Sequence, residues 1–424
     1  MRLHTEQLKN AIKNNGRELK SKLLVNLITE LGDDDLNSVT PMFQGNILKS
    51  VMKELELDSN VYIEKDSIVN YQLGIKTHSP IEGDDGFEYL HFGNYVVAKE
   101  PEKQEDLRSY KIICYDKMIN TMKDYEELQH GTFPMTVRSY INAICQDCNL
   151  VFANSATTFV NYDKVIPYDL YKELGYTYRD VLDELAQVTA STICINETSG
   201  MLEVRYITDT HETINEEFLK DVNVNFGEQY GAVNTIVLSR SAGADKISQS
   251  FPEDLPDDEK IAIEIADNQI LNFNNRDEYI PEILNKLYGL QYYINDFEST
   301  GIGFLELCDR YTISIGEQNY SCIMFNDEIN VTQGMSESVN TEMPEQGETD
   351  YSKTDKTDRR INQTYLIVDK QNQTIESVVS NVDEQNEKIS QITQTVDEIN
   401  SKISDIADLT TSGETTIARL SLEG

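Results

Sequence analysis

The sequence predicts an α+β protein, built on β-barrels or sandwiches and ending in a parallel trimeric coiled coil. Three observations carry that prediction. Short stretches of alternating apolar and polar residues recur from about residue 40 to residue 335, with a few helical patterns between them. From Ile361 to Ile406 apolar residues return every seven positions without a break in phase. Between the two, around 336–358, "SESVNTEMPEQGETDYSKTDKTD" is almost free of apolar residues and reads as a linker.

Residues 1–31 carry Leu8, Ile12, Leu19, Leu23 and Leu24 near helical spacing and predict an amphipathic helix that "GDDD" stops. "SNVYIEKDSIVNYQLGIK" alternates as strands do. "FEYLHFGNYVVAKEPEKQEDLRSYKIICYDKMI" reads as a hairpin with a charged tip at Pro101, followed by a helical start. Val137, Ile141, Ile144 and Cys148 line one face of a helix. Tyr178, Leu182, Leu185 and Val188 line another. "ICINETSGMLEVRYI" is a hairpin turning at Thr198-Ser199-Gly200, and "VNVNFGEQYGAVNTIVLSR" a strand pair. "AIEIADNQILNF" is a strand, and "DEYIPEILNKLYGLQYY" a helix opened by Pro281. The strands of "FLELCDRYTISI" and "YSCIMFNDEINVTQG" close the body. The resulting partition is an N-terminal helix (1–35), a first β-domain (36–130), a helix-containing domain (131–215) and a second β-domain (216–340) with a helix at 278–293. A linker (341–360), the coiled coil (361–409) and a strand-like tail (410–424) follow.

The heptad fixes an interface. With Ile361 at position a, the a series is Ile361, Val368, Ile375, Val382, Ile389, Val396 and Ile403. The d series is Thr364, Gln371, Val378, Gln385, Ile392, Ile399 and Ile406. A sustained period of seven drives left-handed supercoiling. β-Branched residues at both a and d favour three strands over two, because Ile at d packs poorly in a parallel dimer. Gln371 and Gln385 weaken the bundle but penalise slipped registers, so the first half aligns the helices and the second half stabilises them. Positions e and g are mostly Asn, Thr and Lys, a poor code for a different partner. We expect a parallel homotrimer with a rod of about 70 Å, at 1.5 Å per residue.

Composition narrows the function classes. The chain has 424 residues, 39 % of them hydrophobic, and a net charge of -38. Such a surface repels nucleic-acid phosphates, and no Lys/Arg-rich run overrides it, so sequence-specific nucleic-acid binding is not expected. No run approaches eighteen apolar residues, and the N-terminus has no signal-peptide pattern. Cys114, Cys145, Cys148, Cys194, Cys308 and Cys322 are scattered, as reduced thiols are, rather than spaced as a disulfide framework. Cys145 and Cys148 form a CxxC, but a second ligand pair for zinc is missing and both fall on a helix whose apolar face Cys148 continues. The reading is core packing. His4, His78, His91, His130 and His211 are far apart and form no HExxH or HxH. Acidic clusters at Asp33-Asp34-Asp35, Asp84-Asp85 and Asp254 to Glu259 lack the spacing of a calcium loop and read as solvated turns. No catalytic, metal-binding or cofactor-binding residue is assigned, and no cofactor is expected.

The body resembles the hub proteins at the tip of bacteriophage tails, that is, the N-terminal structural region of siphophage tail-associated proteins of the prophage tail endopeptidase type. Those are related in fold to the baseplate hub of contractile-tailed phages. The likeness covers roughly residues 40–335. It is carried by "FGNYVVAKEPEKQEDLRSYKIICYDKMINTM", "GYTYRDVLDELAQVTASTICINETSGMLEVRYI", "LKDVNVNFGEQYGAVNTIVLSR" and "STGIGFLELCDRYTISI". "KTDRRINQTYLIVDKQNQTIESVV" looks like the fibre-forming extension that follows such hubs.

The resemblance implies two tube-like β-barrel domains per chain, with helix-containing inserted domains outside them. Three chains would form a pseudo-sixfold ring that gates the tube. An acidic lining of that ring would let DNA pass without sticking. The implied partners are the chain itself, the distal tail and tail-tube proteins, the tape-measure protein, and receptor-binding or fibre proteins. The implied location is the tail tip of a virion assembled in the bacterial cytoplasm. The expectation is therefore a structural, non-enzymatic homotrimeric hub. A cell-wall hydrolase and a trimeric surface adhesin are the alternatives.

Overall fold

In the computed structural model, residues 1–341 are described except for 3, 15, 105–107, 173, 221–223, 243–244, 257–258 and 333. Residues 342–424, and with them the heptad positions from Ile361 to Ile406, lie outside the described residues. The described part is mostly β-sheet with four helices, α1 (Glu6–Ile12), α2 (Val137–Asp147), α3 (Tyr178–Val188) and α4 (Arg276–Leu287).

Twelve strands form one antiparallel sheet. Its order is Asn225–Tyr230, Tyr292–Ser299, Met335–Thr341, Asn326–Val331, Leu36–Gln44, Glu54–Ser59, Tyr110–Asp116, Phe87–Val97, Ile68–Lys76, Leu19–Val25 and Thr29–Leu31, with the short Glu102–Lys103 also on Tyr110–Asp116. Strands from both ends of the chain meet where Leu36–Gln44 pairs with Asn326–Val331. The two predicted β-domains thus share a single sheet. The expected tube-like barrels differ from this arrangement, because among the described residues the pairing path ends at Asn225–Tyr230 and at Thr29–Leu31 without closing.

Period-two patterning explains the central strands. In Glu54–Ser59, Leu55, Leu57 and Ser59 are buried while Glu54, Glu56 and Asp58 stay half-exposed. Opposite it, Ile112, Cys114 and Asp116 are the buried set of Tyr110–Asp116. The hairpin predicted through Pro101 is present, with Tyr95, Val96 and Val97 facing Asp116, Tyr115 and Cys114, and a 3-10 turn (Lys117–Met122) follows.

Smaller sheets flank the large one. Thr192–Ile195 pairs with Leu202–Arg205 through the predicted turn at Gly200, whose φ is +65°, and lies parallel to Ser50–Val51. Thr208–Asn215 runs parallel to Asp309–Ile315, which pairs with Gln318–Ile323.

Both central helices form as their apolar stripes predict. Thr136 caps α2 through Ser139 N–H, and Val137, Ile141, Ile144 and the C-cap Cys148 are buried. A capping box of Thr177 and Asp180 starts α3, whose Tyr178, Leu182, Leu185 and Val188 are buried.

Four elements differ from the sequence reading. The N-terminal helix ends at Ile12, and Leu19 and Leu23 belong to the strand Leu19–Val25. A spacing of four satisfies both the helical and the strand period, so the apolar pattern alone could not separate them. The strand Met335–Thr341 occupies the start of the apolar-poor stretch. It buries Met335, Glu337, Val339 and Thr341, two of them polar, so composition read it as linker. The two strands of "VNVNFGEQYGAVNTIVLSR" do not pair. Asn225–Tyr230 joins the large sheet, while Thr235–Ala242 joins Asp245–Phe251 and, in parallel, Ala262–Ala266. Helix α4 starts before Pro281 and stops at Leu287, and Tyr292 already lies in a strand of the large sheet.

Candidate functional site

Where the large sheet, the Thr192–Ile195 hairpin and the 302–309 turn meet, charged side chains are buried together. Arg2 is 5 % exposed and donates from its guanidinium to both oxygens of Glu197, at 2.8 and 2.9 Å. It also donates to the carbonyls of Gly303 and Leu305, at 2.5 and 2.6 Å. Its guanidinium carbon sits 4.2 Å from the centre of the Phe92 ring. Lys53, 3 % exposed, donates to the same Glu197 at 2.6 Å. Arg205 donates to Glu306 at 2.8 Å, Glu203 at 3.2 Å and Asp309 at 3.3 Å.

Backbone geometry makes room for this group. Gly93 sits beside a bulge, at φ +94°, and a Cβ there would come within 3.2 Å of the Glu197 backbone. Glu197 itself follows the strand Thr192–Ile195 in the turn before Gly200.

Mutual pairing sets the charges. Burial alone would push the Glu306 carboxyl up, but Arg205 and Arg2 outweigh it and hold it well below the usual carboxylate range. Burial likewise opposes the charged form of Lys53, and Glu197 overrides it, so the ammonium is held more tightly than in water. The arrangement is saturated by its own members. Chemically it fastens five distant segments (2, 53, 197, 205 and 303–309) and offers no reacting group.

A second buried group is acid on acid. Asp327 and Glu337 are 4 % and 1 % exposed and lie on the paired strands Asn326–Val331 and Met335–Thr341. Glu337 also accepts the Ile302 N–H through Oε2. Among the described residues Asp327 Oδ1 and Glu337 Oε1 have no hydrogen-bond partner, and a proton on either carboxyl would remove one of two buried charges. Burial raises both groups, Asp327 well above the ordinary value, with the neighbouring Glu337 charge adding to its shift.

The residues singled out by sequence do not converge. Cys145 and Cys148 are both buried, and burial pushes the Cys148 thiol up to about 12. Cys145 is displaced upward for the same reason, so neither is a nucleophile near neutrality. His130 approaches Asp147 at 2.5 Å beside a cavity of about 640 Å³ lined by Thr136, Arg138 and Ser139, but among the described residues its other ring nitrogen has no partner. His78 pairs with Asp84 at 3.2 Å, and His4 bonds the Arg2 carbonyl at 2.8 Å. Asp33 accepts Ser21 N–H, Asp35 accepts Gly32 N–H and Asp84 accepts Gly86 N–H, so these acidic clusters brace turns. Among the described residues no three His, Cys, Asp or Glu side chains are grouped to hold a metal ion.

Sequence reasoning missed the Arg2–Glu197–Lys53 group and the Asp327–Glu337 pair. Its members are 144 and 195 residues apart, and no local signal links them. The one available cue was strand phase: Glu337 falls in register with Met335 and Val339.

No family model matches the chain, and no curated protein matches it. Among solved structures the chain is similar to the 43 kDa tail protein of prophage MuSo2 from Shewanella oneidensis, with 12 % identity, 77 % of this chain and 99 % of that chain covered, and a TM-score of 0.47. It is similar to a tail protein from Neisseria meningitidis MC58, with 9 % identity, 76 % and 95 % covered, and a TM-score of 0.47. A prophage tail protein from Listeria monocytogenes EGD-e follows, with 12 % identity, 81 % and 99 % covered, and a TM-score of 0.44. The phage P2 baseplate and a component of the E. coli type VI secretion system are also among the similar solved structures, at TM-scores of 0.30 and 0.36.

Proposed function

We propose that the chain is a non-enzymatic structural protein of a phage tail, a homotrimeric hub that adapts the tail tube to the fibre or receptor-binding parts at the tip and gates DNA passage. The observation that carries this reading is the heptad phase. Thirteen of its fourteen a and d positions, from Ile361 through Val368, Gln371, Ile375, Val378, Val382, Gln385, Ile389, Ile392, Val396, Ile399 and Ile403 to Ile406, are Ile, Val or Gln. Such a seam is buried only against other helices, and β-branched residues at both positions specify three.

The sheet supports the same reading. Among the described residues both terminal strands of the twelve-stranded sheet have one unpaired side. A long sheet with open edges is satisfied when neighbouring copies continue it, and three copies arranged edge to edge build a continuous wall. The stretches that resemble tail-hub sequences supply the second half of the strand Phe87–Val97 and the strands Tyr110–Asp116, Asn225–Tyr230 and Asp309–Ile315. The partners are then the chain itself, distal tail and tail-tube proteins, the tape-measure protein and fibre proteins, and the location is the virion.

Antibodies raised against residues 1–341 test this on particles released by the bacterium that encodes the chain. Gold label at the end of the tail distal to the capsid is the expected micrograph. Label along the shaft, on the capsid or only on cell envelopes overturns the proposal.

A further inference from the structure

In a chain of net charge -38, one cavity collects cations. It measures about 280 Å³ and lies where the end of α4, the strand Asp309–Ile315 and the 205–209 segment meet. Arg205, Lys286 and Arg310 line it, against one carboxylate, Asp209. Arg205 is neutralised by Glu203, Glu306 and Asp309. Asp209 already accepts the His211 N–H at 2.9 Å and lies 3.4 Å from its ring Nδ1.

The other two cations are different. Among the described residues neither Lys286 nor Arg310 has a carboxylate partner. The Lys286 ammonium rests 3.9 Å from the centre of the Tyr206 ring, which fixes it at the cavity wall. Among the described residues the Arg310 Nε is buried and has no hydrogen-bond partner. That nitrogen is closed to water and so to any occupant of the cavity; the terminal guanidinium nitrogens are not, and among the described residues no acceptor meets them, so they are the donors Arg310 offers. Tyr288, 68 % exposed, stands at the same wall and adds an aromatic surface beside the charges.

We propose that this cavity binds a small organic oxyanion, a carboxylate or phosphate group on a compact body. Arg310 and Lys286 would supply charge-assisted hydrogen bonds, and the Tyr206 and Tyr288 rings the apolar contact. The volume suits a small molecule, below the range of drug-sized pockets. The overall negative charge sharpens the proposal, because it disfavours diffuse anion binding and leaves a saturable site as the explanation for any uptake.

Calorimetric titration of the full chain with glutarate and with inorganic phosphate tests it, at constant ionic strength with chloride as the reference anion. The expected result is one saturable site per chain for at least one probe. Lys286→Gln and Arg310→Gln should each weaken it about tenfold, the loss expected for one charged hydrogen bond. Lys286→Gln changes a side chain held only by a ring contact, so it reports on binding even if Arg310→Gln disturbs folding. Lys99→Gln, which removes a distant surface pair with Glu102, should leave binding unchanged. Uptake that does not saturate, or a saturable site untouched by Lys286→Gln, overturns the proposal and marks an adventitious ion only.

Discussion

Replacing Glu197 by Gln should lower the stability of the folded chain by about 3–5 kcal/mol, the cost of leaving buried charge without its counter-ion. Arg2 and Lys53 both donate to this one carboxylate, and all three side chains are nearly inaccessible to water. A neutral amide keeps the volume but cannot balance two cations. Denaturant midpoints, read at unchanged slope, measure the loss. The control is a triple replacement, Arg2→Met, Lys53→Met and Glu197→Leu. It removes the desolvation penalty along with the attraction and should recover much of the stability, because apolar packing commonly matches a buried ion pair. A Glu197→Gln variant within about 1 kcal/mol of the parent would mean that the group is hydrated and fastens nothing.

The second large effect is a loss of stability as pH rises. Burial raises Asp327 and Glu337, pushes Glu184 up to about 7 and Asp116 to about 6. Each group binds its proton more tightly when folded than when unfolded. Its stabilising contribution is therefore complete below the unfolded carboxylate value, near 4, and is lost as pH climbs through the folded value. Between pH 5 and 8 the unfolding free energy should fall, with Asp116 and then Glu184 contributing. Self-repulsion of a chain carrying -38 acts in the same direction, so the pair must be isolated by mutation.

Asp327→Asn does that. The amide can donate to Glu337 without binding a proton, so the stability of the variant relative to the parent should be about 2 kcal/mol more favourable at pH 8 than at pH 5. A stability profile parallel to that of the parent would exclude a raised carboxyl at this site.

What the sequence made legible follows its periodicities. The stripes Val137–Ile141–Ile144 and Tyr178–Leu182–Leu185–Val188 produced their helices, because a three-to-four spacing over eleven residues has no strand equivalent. The Gly200 hairpin followed from turn chemistry and flanking alternation. Leu19 and Leu23 misled because their spacing fits both periods. Met335–Thr341 misled because half of its buried face is Glu337 and Thr341. The partners of Asn225–Tyr230 and Thr235–Ala242 were illegible for a different reason. Adjacent strands usually pair, and these two enter separate sheets instead. Buried charge was the least visible feature, since Lys53 and Glu197 have the same composition as solvated residues and differ only in what the fold places beside them.

Threefold self-association through the Ile and Val seam of residues 361–406 is what a tail hub of this kind requires. Sedimentation equilibrium of the full chain measures it directly. The expected mass is three times 48.4 kDa, falling to a single chain when Ile392 and Ile399 are both replaced by Asp. A parent protein that sediments as one chain or as two at every concentration contradicts it.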